Sequence, residues 1–208
     1  MKTLSSGEKY DYEYFECGTK SCYHNYRWLP ELTRPMVAAV MEHCEIEAGQ
    51  TLLDFGCSKG YCVRAFRERG IDAWGTDISA YAIAQAPAEV KPYITHVSET
   101  PRIRHPERFD WLFCKDVLEH IELYDLIACM DVLSEYCKRA FIVVPLGDGT
   151  KYNAAANELD TTHIHRQPLE WWTELLRGWW PDVAGTYRVP GMKEQWTEPQ
   201  AHGFIVCK

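Results

Sequence analysis

Asp54, Gly56, Gly60 and Asp77 are the residues whose types and spacing point most directly to chemistry. They lie in Leu52-Leu53-Asp54-Phe55-Gly56-Cys57-Ser58-Lys59-Gly60-Tyr61 and in Ala73-Trp74-Gly75-Thr76-Asp77. An apolar run that breaks at one glycine and resumes as a helix after a second predicts a strand, a loop and a helix. Gly56 lets the backbone approach a ligand, and the N–H groups of the helix start can hold its polar atoms. Asp77, 21 residues after Gly56, can accept hydrogen bonds from both hydroxyls of a ribose. Asp77 or Ser79 could equally cap the next helix, and the two roles are compatible. The unit therefore reads as a ribonucleoside site. A dinucleotide loop would need a third glycine, and Ser58 stands at its middle place, which disfavours an NAD-dependent oxidoreductase.

A second group of candidates lies downstream. Asp116 and His120 are four residues apart, a spacing that predicts one helical face. Asp160, His163 and His165 fall in the long polar connection 147–166. His163 is a candidate base for a hydroxyl acceptor, and the alternative is a loop histidine that fixes its own backbone. His-x-His with Asp160 also has the donor types of a metal site.

The elements that must position these groups follow from periodicity. Strands are expected at 51–55, 73–76, 92–97, 109–114, 140–145, 184–189 and 202–207, and most alternate with helical stripes. The pattern predicts a three-layer α/β/α sandwich with a seven-stranded, mostly parallel sheet and a C-terminal antiparallel hairpin. One domain, 1–208, is expected, with an aromatic N-terminal segment and helix over 1–48 and the ligand-binding core over 49–208.

The chain has 208 residues and a formal net charge of −8. That balance disfavours a nucleic-acid partner gripped through its phosphates. No apolar run or leader peptide suggests a membrane or secretion, so a cytoplasmic protein is expected. Arg102 to Arg108 is the one locally basic run and reads as a solvated loop. The nine cysteines contain no C-x-x-C pair. Cys44, Cys114, Cys129, Cys137 and Cys207 sit in apolar stretches and are expected to be buried free thiols.

The stretch LLDFGCSKGYCVRAFRERG resembles the first motif of class I S-adenosylmethionine-dependent methyltransferases. So do Gly75-Thr76-Asp77-Ile78-Ser79 and the D-V-L-E-H signature at Asp116–His120. The resemblance implies that fold, S-adenosylmethionine as cofactor and S-adenosylhomocysteine as product. It implies that Asp54, Gly56, Cys57, Ser58 and Gly60 shape the pocket, that Asp77 holds the ribose, and that Ile78 packs on the adenine. Ser98 borders the adenine, Lys115 and Asp116 lie beside the methionine end, and His120 points to the reaction cavity. Asp160-Thr161-Thr162-His163 with Pro168 and Trp171-Trp172 looks like a stretch of methyltransferases acting on sugars and other small metabolites. Such enzymes mostly lack a metal, and none is expected. The segment from Tyr10 to Trp28 resembles a lid, with Tyr26 and Arg27 as further cofactor contacts. The expected reaction is methyl transfer to oxygen or nitrogen of a small molecule, most simply a sugar, nucleotide-sugar or glycan end. Another metabolite, a protein side chain, or a non-catalytic cofactor-binding module are the alternatives.

Overall fold

The structure is a computed structural model that describes residues 7–97 and 108–208. Ser98 and residues 102–107 of the basic run lie outside the described residues. The apolar runs pair as seven strands: β1 (Thr51–Phe55), β2 (Asp72–Asp77), β3 (Ile94–His96), β4 (Phe109–Lys115), β5 (Cys137–Pro145), β6 (Val183–Thr186) and β7 (His202–Cys207). Their order is β3-β2-β1-β4-β5-β7-β6. Strands β1 to β5 run parallel, while β7 is antiparallel to both β5 and β6. The expected fold class is therefore present. Its C-terminal hairpin is threaded, because β7 sits between β5 and β6 instead of beside β6 alone. The run Ala140–Pro145 pairs on both edges and is buried throughout, as a continuous apolar strand must be.

Helices cover both faces. On one, α5 (Leu123–Tyr136) and α6 (Leu169–Leu176) set Met130, Leu133 and Trp172 against Leu112, Ile142 and Ile205. On the other, α2 (Pro30–Cys44) and α3 (Tyr61–Arg67) set Val37, Val40 and Phe66 against Leu52, Trp111 and Phe141. The two shorter helices are α1 (Tyr12–Glu16) and α4 (Ala80–Ala84). The five cysteines expected in the core are buried and free, as is Cys57. No helix among the described residues is long and apolar enough to cross a membrane.

One expectation needs correction. Asp116 and His120 do not share a helical face. Asp116 takes a left-handed φ of 56°, and a 3₁₀ turn, Leu118–His120, precedes α5. The reason is local charge: Lys115 Nζ and Lys193 Nζ donate to the two Asp116 oxygens at 2.6 and 2.8 Å. These contacts hold Asp116 where a helix could not place it.

Ile142, 0% exposed between β4 and β7, tests this core. Ile142→Ala should lower the unfolding free energy by about 2–5 kcal/mol. Leu32→Ala, at a site 62% exposed, should change it by less than about 0.5 kcal/mol. Urea titration of both variants measures the difference.

Candidate functional site

The carboxyl ends of β1, β2 and β4 converge at the point where the strand order reverses, the position where parallel sheets bind ligands. They floor a cavity of about 1160 Å³, its open mouth included. Asp54 and Phe55 line it from β1, Thr76 and Asp77 from β2, and Phe113 and Lys115 from β4. The β1–α3 loop forms one side with Gly56, Cys57 and Ser58. Gly56 has a φ of +78°, and a Cβ there would run into Val117. Gly60 does not line the cavity. It caps α3 at a φ of +75° and packs on Val90 and Ile94, so it shapes the loop from behind.

Asp77 holds this loop. Its Oδ2 accepts the Ser58 N–H at 2.6 Å and its Oδ1 the Ser79 N–H at 2.7 Å. The first bond secures Ser58 at its left-handed φ of 53°, so a serine serves where glycine would be easier. Ser79 caps α4 through its hydroxyl, leaving Asp77 aimed into the cavity. A carboxylate offers about four acceptor positions, so the two N–H bonds leave room for a diol. Asp54 Oδ2 and Thr76 Oγ1 are buried without a hydrogen-bond partner. Burial, with Asp77 close by, pushes Asp54 up to about 8. A cavity holding a carboxylate with spare acceptor capacity and orphaned polar atoms fits a ribonucleoside with a cationic tail. Ile78 and Val97 supply apolar lining.

The N-terminal segment forms the opposite wall, where Tyr10, Tyr14, Phe15, Tyr23 and Tyr26 line the cavity. It is tied down at several points. Buried Lys59 donates to Glu16 Oε1 at 2.6 Å and to the Tyr26 carbonyl at 2.7 Å. Ser79 Oγ donates to the Tyr10 carbonyl at 2.6 Å, and Tyr14 OH to Asp160 Oδ2 at 2.8 Å. Arg27 departs from expectation. It is exposed and, among the described residues, hydrogen-bonds the Asn25 carbonyl alone, at 3.5 Å. The Tyr26 N–H bond to the Phe15 carbonyl turns Tyr26 inward and the next side chain out.

On the far side of the cavity Asp116, Val117 and His120 line the wall. The backbone carbonyl of Glu119 accepts from the N–H groups of Ile164 and His165, at 2.9 and 3.2 Å. That bond pair brings the connection after β5 against the turn after β4, so His163 stands behind His120 with ring centroids 4.6 Å apart. His120 Nδ1 faces Thr162 Oγ1 at 2.8 Å, and His163 Nδ1 faces the Asn157 carbonyl at 2.9 Å. Burial, followed by His163 beside it, pulls His120 down to about 4, and burial also lowers His163. Both imidazoles are therefore neutral at pH 7. His165 turns away, its Nε2 donating to the Ile121 carbonyl at 2.7 Å, so the Asp160–His165 pairing considered from spacing is not assembled. Glu119 takes that place. It is 0% exposed, neither of its side-chain oxygens accepts a hydrogen bond from another of the described residues, and burial with Asp116 nearby drives it well above the usual carboxylate range. Glu119, Lys193 and Thr162 are site residues that sequence reasoning missed. The D-V-L-E-H string contains the glutamate, but only the 3₁₀ turn shows where it faces.

A family model described as a methyltransferase domain matches residues 27–190. A ubiquinone biosynthesis O-methyltransferase of Azoarcus sp. is 31% identical over 85 residues, which is 38% of this chain and 36% of that relative's length. Among solved structures, a Haloferax volcanii chain in complex with the Trm112 methyltransferase activator superposes with a TM-score of 0.65 at 15% identity, covering 86% of this chain and 90% of that one. Phosphoethanolamine N-methyltransferase 2 of Haemonchus contortus, in complex with phosphomonomethylethanolamine and S-adenosylhomocysteine, superposes at 0.59 with 18% identity, covering 83% and 52%.

Removing residues 1–28 takes away the aromatic wall. The truncated chain should bind S-adenosylhomocysteine at least about tenfold more weakly in calorimetric titration. An unaltered dissociation constant would reduce the segment to packing.

Proposed function

Because this chain belongs to the S-adenosylmethionine-dependent methyltransferases, we propose that it transfers the cofactor's methyl group to oxygen or nitrogen of a small molecule, a sugar, nucleotide-sugar or glycan end being the favoured acceptor. The observation that carries this reading is the neighbourhood of two chemistries in one cavity. The diol-accepting carboxylate of Asp77 lies on its floor, and His120, backed by His163, lies in its wall. Asp77 holds the ribose, Ile78 flanks the adenine, and the orphaned Asp54 oxygen faces the methionine end with Lys115 and Asp116. When bound, the cofactor would supply a sulfonium methyl group, with sulfur as the leaving atom that keeps the electron pair.

This chain's residues position the acceptor and take care of its proton. His120, which lines the cavity, and His163 behind it are the catalytic groups of this reading. The aromatic wall from Tyr10 to Tyr26 acts as the lid and offers flat apolar faces with polar edges, a surface suited to a sugar. A hydroxyl on another metabolite is the second reading, favoured by the partial likeness to a ubiquinone biosynthesis O-methyltransferase.

Incubation with methyl-labelled cofactor and a panel of nucleotide-sugars, free sugars and phenols tests the proposal. Label is expected in a sugar fraction. Label in a phenol alone would replace the sugar by the second reading. A chain that binds S-adenosylhomocysteine but labels nothing would become a binding module. With the acceptor found, His163→Ala should cut turnover at least ~100-fold and leave cofactor affinity unchanged.

Asp54 gives a pH prediction. Its folded carboxyl titrates near 8, and a cationic ligand amine favours the ionised form. Cofactor affinity should therefore be full above pH 8 and fall by up to tenfold per unit as pH drops below it. Asp54→Asn should flatten the profile, and titration calorimetry from pH 6 to 9 reads both.

A further inference from the structure

We propose that Glu119, His120 and His163 hold a divalent transition-metal ion in the wall of the cavity. The three side chains come from the turn after β4 and the connection after β5, and their ligand atoms all lie within 4.8 Å of one another. Glu119 Oε1 is 3.9 Å from His120 Nε2 and 3.8 Å from His163 Nε2. Donors bound to one ion at the usual ~2.1 Å lie roughly 3.0–3.4 Å apart. About an ångström of side-chain movement closes the set.

Packing alone does not account for this cluster. A buried carboxylate needs a donor, a counter-charge or a metal, and among the described residues Glu119 accepts from no other. The nitrogens that face it offer lone pairs. His163 Nδ1–H donates to the Asn157 carbonyl. The Thr162 hydroxyl donates to Asp160 Oδ1 at 2.6 Å, so it receives the His120 Nδ1–H. Both Nε2 atoms are therefore acceptors. A proton on Glu119 could satisfy only one of them, whereas a cation satisfies all three donors at once. Each imidazole is also oriented through Nδ1 by a backbone or hydroxyl oxygen, the usual support for a metal-bound histidine. Asp160 Oδ2, 3.8 Å from His163 Nε2, adds negative charge behind the set. The cations nearby, Lys115 and Lys193, are both engaged by Asp116.

Two imidazoles with one carboxylate suit Mn²⁺, Fe²⁺, Co²⁺ or Zn²⁺ better than Mg²⁺ or Ca²⁺, which prefer all-oxygen shells. Three protein ligands leave coordination positions free, and His120, the one of the three that lines the cavity, sets the ion at its wall. The role of the ion, though not its binding, rests on the proposed methyl transfer. With the ion bound, the two Nε2 atoms serve as its ligands instead of as bases, and an acceptor hydroxyl held by the ion loses its proton to solvent more readily; its oxygen then takes the methyl group as the carbon–sulfur pair returns to sulfur. The site thereby favours an oxygen acceptor over a nitrogen one.

The full chain, stripped with a chelator and dialysed, is titrated with Mn²⁺ alone, an ion that avoids the nine thiols. Loss of the free-ion paramagnetic resonance signal should give one bound equivalent. Pulsed resonance should show nitrogen couplings from two imidazoles. Mn²⁺ at a hundred times its dissociation constant should raise Tm by roughly 3–8 °C. Glu119→Gln and His163→Gln should each weaken binding at least about tenfold, while the Tm rise with S-adenosylhomocysteine persists. His165→Ala, outside the set, should bind Mn²⁺ as the parent does. No saturable binding, no nitrogen coupling in the parent chain, or unchanged affinity in both variants overturns the site, and the parent's couplings decide the matter where a variant fails to fold. A chain that binds S-adenosylhomocysteine but no Mn²⁺ leaves methyl transfer standing without the ion. The reverse result removes the methyltransferase reading and keeps the metal site.

Discussion

The wall of the cavity that carries His120 depends on one carbonyl group. The Glu119 oxygen receives two successive N–H groups, from Ile164 and His165, and so fastens the connection after β5 to the turn after β4. Backbone groups buried away from water must find partners, and here the partners are each other. This junction brings His163 against His120. The turn itself rests on Asp116, kept in a left-handed conformation by Lys115 on its own strand and by Lys193 from the segment between β6 and β7. Four parts of the chain thus meet at one corner, and each limits where the others can stand.

The floor of the cavity is organised by the same kind of contact, an oxygen-bearing group that accepts two backbone N–H groups. Asp77 gathers the N–H groups of Ser58 and Ser79, joining the loops after β1 and β2 as Glu119 joins those after β4 and β5. In both places a single oxygen-bearing group at a strand end links two crossovers. The parallel sheet makes such links available, because all its first five strands end on one edge. The site is assembled where that edge changes direction.

Much of this was readable in the residues. The run from Leu52 to Tyr61, the acid at Asp77 and the twofold-buried run Ala140–Pro145 carry their structure in periodicity and punctuation, because local sterics and burial decide them. The apolar stripe from Met36 to Cys44 does so too. What failed were inferences that treated spacing as geometry. Asp116 and His120 stand four apart, yet an ion pair from a distant lysine breaks the helix that spacing assumes. His165 looks like the partner of His163, but the two rings are claimed by different backbone carbonyls, His165 by that of Ile121 and His163 by that of Asn157. Arg27 follows an inward tyrosine and faces out. Glu119 was hidden because its burial is a property of the junction, not of its neighbours in sequence.

The N-terminal segment touches both walls of the cavity, through Lys59 and Ser79 beside the loops after β1 and β2 and through Asp160 in the connection after β5. Coupling of this kind is reciprocal. Whatever these residues contribute to holding a ligand, the ligand returns as local stability of the segment. The first helical turns of the chain therefore belong to the binding equilibrium: filling the cavity slows their hydrogen exchange and shields them from proteases, and the seven-stranded core behind them scarcely registers the difference.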